Sequence, residues 1–79
     1  MKVIQGADGL KAASEQEVVE LVRFIRERNG DLPAGVLVWR TLIFLGVVRS
    51  SALRKGERQT IEELTPILLK AFREIGVEE

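Results

Sequence analysis

Apolar residues fall into three blocks along this chain, and each block has its own spacing. In the first, Val18, Leu21, Val22 and Ile25 recur at three- and four-residue steps, the period of one helix face. Ser14-Glu15-Gln16-Glu17 precedes them as a capping box, in which the Ser hydroxyl accepts from the backbone N–H three residues on and the Glu reaches back. Asn29-Gly30 closes the block, because Gly takes the left-handed cap conformation without strain. Val19 and Phe24 fall off the main stripe, so this helix is expected to touch something on a second side. The last block, Ile61, Leu64, Leu68, Ala71, Phe72 and Ile75, is again helical. Thr60-Ile61-Glu62-Glu63 reads as a second capping box, Pro66 interrupts the opening turns, and Gly76 marks the end.

The middle block, Leu32 to Val48, has no polar face. It reads LPAGVLVWRTLIFLGVV, with Arg40 and Thr41 as its only strongly polar side chains. Asp31-Leu32-Pro33 resembles a helix start, which predicts a helix from Pro33 to about Lys55, ending at Gly56. The rival reading is a pair of buried strands within 36–48, favoured by the β-branched Val36, Val38, Ile43, Val47 and Val48. Arg40-Thr41 is no turn signal, so helix is preferred. The expected fold is all-α: a three-helix bundle with helices near 14–29, 33–55 and 61–75, the central helix at its core. Residues 1–13 form an arm of uncertain order, and 1–79 is one domain; the alternative is a small α+β domain.

A helix apolar on every side must be covered on every side, and two amphipathic neighbours cover only part of one. Oligomerisation is therefore expected, with a homodimer favoured. On a helix continuing through residue 50, Gly35, Trp39, Gly46 and Ser50 share a sector about 60° wide. Small residues there let a second backbone approach, and Trp39 anchors the contact. With Val38, Leu42 and Ile43 supplying apolar area, these residues form the expected interface.

Composition limits the chemistry. The 79 residues contain no Cys, His or Tyr, so disulfides, the usual zinc sites and His-based nucleophilic triads are excluded. No cofactor or metal is implied, and the acidic pairs Glu62-Glu63 and Glu78-Glu79 are explained by a helix start and the end of the sequence. No enzymatic activity is expected. Twelve basic and twelve acidic residues balance, but their distribution does not: residues 32–59 carry five basic side chains against Glu57 alone, a net +4.

That cationic stretch supplies the alternative function. Arg49, Arg54, Lys55 and Arg58 are candidate contacts to an anion or nucleic acid, in a helix-turn-helix or winged-helix protein using segment 49–58. Against it, a recognition helix needs polar side chains for base edges, and Val36–Val48 offers almost none. A membrane span is not expected, because Arg40 falls near the middle of a stretch at the low edge of spanning length. Arg40 itself is read as the solvent-facing strip, its stem lying along apolar surface. The N-terminus lacks an apolar core of signal-peptide length, so cytoplasm is the expected compartment. The leading functional reading is a non-enzymatic protein–protein interaction module, a small oligomeric adaptor or regulatory subunit.

Overall fold

The computed structural model describes residues 4–48 and 55–78, and for Lys55 the backbone alone. The described residues form four helices, α1 (Gly6–Ala12), α2 (Glu15–Asn29), α3 (Ala34–Phe44) and α4 (Lys55–Glu74). The described residues contain no strand, so the all-α class holds, and of the rival strand segment 36–48, residues 36–44 are helix and 45–48 form the turn that follows it. Four helices stand where three are expected.

The first difference is at the N-terminus. Gly6-Ala7-Asp8-Gly9, turn-like in sequence, opens α1, and Leu10 is buried at 1% exposure. Ile4, Ala7 and Ala13 pack against the core beside it, and the backbone is tied in as well: the Gly6 N–H donates to the Leu45 carbonyl at 3.2 Å.

α2 follows its expected course. The Ser14 Oγ accepts from the Glu17 N–H at 3.2 Å, and the Glu17 carboxylate accepts from the Ser14 N–H at 3.0 Å. Val18, Val22 and Ile25 are buried. Gly30, at φ 79°, ends the helix. Asp31 does not cap α3; its carboxylate pairs with Arg26 at 2.7 Å across the turn. Pro33 is the N-cap, and the free Ala34 N–H donates instead to the Glu78 carbonyl at 3.1 Å. The C-terminal segment thus satisfies one of the orphan donors of α3.

The central helix is the largest correction. It stops at Phe44, not near Lys55. Gly46 adopts φ 77°, the Val47 N–H donates to the Leu42 carbonyl at 3.0 Å, and the Gly46 N–H donates to the Ile43 carbonyl at 3.0 Å. These are the paired bonds of a Schellman stop, with glycine where the chain turns left-handed. Gly46 is a helix terminator and not a close-packing residue within a longer helix. α4 ends the same way, with Gly76 at φ 88° and the Val77 N–H on the Phe72 carbonyl at 2.9 Å.

α4 also begins earlier than expected. Thr60 lies inside it, and its hydroxyl donates back to the Gly56 carbonyl at 3.0 Å rather than capping. A Thr hydroxyl serves either role, and the local sequence does not choose between them. Pro66 lies in the helix interior and leaves the Glu62 carbonyl without its usual donor. Both residues are exposed, so the freed carbonyl is on the wet side.

The hub of the bundle is α4, which packs on α1, α2 and α3. Its stripe Leu64, Leu68, Ala71 and Phe72 is buried, three of the four completely. α4 supplants the central helix in that role because it is the longest element and its apolar stripe is unbroken. Ion pairs pin its flanks. The Lys11 ammonium donates to the Glu63 carboxylate at 2.6 Å, a hydrogen bond and charge that hold Lys11 above its ordinary pKa. Lys70 meets Glu15 at 3.5 Å.

Two glycines of the middle block should respond oppositely to alanine. Neither has a neighbour within 4 Å of an added Cβ, so backbone conformation decides. Gly46→Ala is expected to cost about 1–2 kcal/mol, and Gly35→Ala, in the first turn of α3, to gain up to about 0.5 kcal/mol. Urea denaturation of the two variants beside the parent checks both signs.

Candidate interaction surface

α3 presents two apolar faces. Taking 100° per residue, Leu37, Thr41, Ala34, Val38 and Leu42 occupy an arc of about 140°, and all five are buried. On the opposite side, Trp39, Ile43, Val36, Arg40 and Phe44 occupy an arc of similar width, about 140°, and all five are exposed. Exposure is 42% at Val36, 38% at Trp39, 48% at Ile43 and 56% at Phe44. Such values on adjacent large apolar side chains are unusual for a covered helix.

The two polar residues of the block divide between the faces. Thr41 is fully buried, and its hydroxyl donates to the Leu37 carbonyl at 2.8 Å, so no polar atom is stranded. Arg40 is exposed among the apolar side chains, as its reading as a solvent-facing residue anticipates.

α2 extends the surface. Phe24, 37% exposed, meets Phe44 with ring centroids 5.5 Å apart and planes tilted by 54°. The Arg28 guanidinium carbon lies 5.3 Å from the Phe24 ring centre, within cation–π range. The result is a continuous apolar strip crossing from α3 to α2. Arg40 lies within it and Arg28 along its edge. This contact accounts for Phe24 being off the main stripe of its helix.

The expected interface residues scatter across this geometry. Gly35, Trp39, Ile43 and Gly46 are exposed. Val38 and Leu42 belong to the core, at 4% and 0% exposure, and so cannot meet a partner without unfolding α3. A helix apolar all round does not reveal which side its own neighbours take, so the sequence alone groups them with Trp39. Ser50 lies outside the described residues, as do Arg49 and Arg54. Lys55 opens α4, and Arg58 is exposed one turn further along. Val36, Phe44, Phe24 and Arg28 complete the surface and were not anticipated there. The spacing of Val36, Trp39 and Ile43 at i, i+3 and i+7 was the available signal.

No protein-family model, curated protein or solved structure matches the chain. The functional reading therefore rests on chemistry and geometry. A concavity of about 220 Å³ lies between α1, α2 and α4 over Leu10, Val18, Ile67 and Ala71. It is smaller than ordinary ligand pockets of about 300–1,000 Å³, and its two lysines, Lys11 and Lys70, are engaged by Glu63 and Glu15. Among the described residues, no helix is long and apolar enough to cross a membrane.

The two faces make neighbouring residues behave differently. Leu42→Ala should destabilise the fold by about 2–5 kcal/mol through a core cavity. Ile43→Ser should change it by under about 1 kcal/mol. Equilibrium denaturation in dilute solution checks the contrast.

Proposed function

We propose that this protein is a non-enzymatic interaction module that docks the outer face of α3, with Phe24 of α2, against another protein surface. The carrying observation is the continuous exposed strip Val36–Trp39–Ile43–Phe44–Phe24 on a chain whose helices already share a filled core. Large aromatic side chains beside an Arg are the composition of binding hot spots. The fold does not need this face for its own burial, since Leu37, Val38 and Leu42 meet the core from the other side. The 37–56% of Trp39, Ile43, Phe24 and Phe44 that stays exposed adds nothing to the stability of a monomer. It becomes favourable once a partner removes it from solvent.

A nucleic-acid role draws less support. Of its candidate contacts Arg49, Arg54, Lys55 and Arg58, the side chain of Arg58 alone is among the described residues, exposed on α4.

Site-specific photo-crosslinking in the producing cells tests the reading. A crosslinker at Ile43 should give a discrete product, whether with the chain itself or another protein, and one at Glu62, exposed on α4, should not. Equal yields from both positions, or no product at Ile43, would contradict an interaction module acting through this face.

A further inference from the structure

We infer that the occupant of the α3 face is an acidic amphipathic helix of another protein. The inference deepens the interaction reading above and rests on it. Charge is the first argument. α3 contains no carboxylate, and the strip carries two cations, Arg40 within it and Arg28 over the Phe24 ring. Among the described residues no ion pair engages Arg40. At about 100° per residue, Glu20 and Glu27 of α2 lie 40–60° around the helix from Phe24 on the side away from Arg28, and Glu17, about 20° from Phe24, is two turns back and accepts from the Ser14 N–H.

The same charge disfavours a second copy. A two-fold interface places each residue near the axis against its own twin. Arg40 is one residue from the midpoint of α3 (Ala34–Phe44), so pairing α3 with its copy brings two guanidinium groups together while apolar surface around them is desolvated. An opposing carboxylate turns that cost into a charge-assisted, bidentate hydrogen bond.

The shape of the strip specifies a helix. Val36, Trp39 and Ile43 form a ridge at i, i+3 and i+7, and such ridges seat between those of another helix. Among the described residues there is no strand, so no sheet edge is available for strand addition. An anionic lipid surface fits less well. Two cations fall short of the clusters of four or more that such surfaces attract.

Trp39 is the only tryptophan in the chain, so its emission reports directly on this face. The probes are designed helical peptides of about five turns, in several registers of one Leu/Ile stripe, with flanks of either Glu or Lys. The Glu series should shift Trp39 emission to the blue and bind about tenfold or more tighter than the Lys series, with the difference shrinking in added salt. Arg40→Glu, at an exposed position, should fold normally by circular dichroism and reverse the preference.

Lys peptides binding as tightly, an unchanged preference in Arg40→Glu, or anionic vesicles shifting Trp39 as strongly as the Glu peptides would each overturn the inference. If no peptide binds while the Ile43 crosslinker still yields a product, the acidic-helix occupant falls and the interaction module stands. If no peptide binds and the crosslinker yields nothing, both fall.

Discussion

The constraint on which this structure turns is that α3 is apolar on both faces while the described residues cover one. Burying apolar surface is the main favourable term in folding, and small domains have little of it to spare. α4 supplies most of the cover. Leu64, Leu68 and Phe72 meet Leu37 and Leu42 in one core, with Val22 and Ile25 of α2 closing it. Once that core is filled, the remaining apolar side chains of α3 have nowhere inward to go. Their exposure follows from geometry: a helix in a single layer of neighbours keeps an outer side.

Gly46 sets the length over which this holds. By ending α3 through a Schellman stop, it limits the outer strip to three turns and turns the chain back so that Leu45 and Val48 are buried. The same corner holds α1, whose Gly6 N–H is bonded to the Leu45 carbonyl. A helix running on to residue 55 would have carried these contacts away from the bundle. The stop, the docking of α1 and the limits of the exposed strip are therefore linked through one residue with positive φ.

Much of this is legible in the sequence where periodicity and caps agree. The Ser14 capping box, the Gly30 and Gly76 stops and the buried stripes of α2 and α4 follow directly from spacing. The errors cluster where one residue type serves two purposes. Gly46 reads equally as a close-packing residue or a terminator. Thr60 reads as a cap, yet its hydroxyl bonds backward inside a longer helix. Leu42 and Ile43 are interchangeable in hydropathy, and only the position of α4 makes one core and the other surface. The cover that the middle block lacks was recognisable from sequence; which side lacks it was not, because that is a property of tertiary packing.

The inner face of α3 is committed to the fold, and we propose that its outer face is left for a partner. Methyl NMR with a soluble paramagnetic agent measures both at once. In the dilute free chain, the methyls of Val36 and Ile43 should broaden strongly while those of Leu37 and Leu42 stay sharp. On saturation with an acidic helical peptide, Val36 and Ile43 should become protected and the inner pair should not change. Equal protection of all four in the free chain would contradict the account, as would Val36 and Ile43 remaining accessible in the complex.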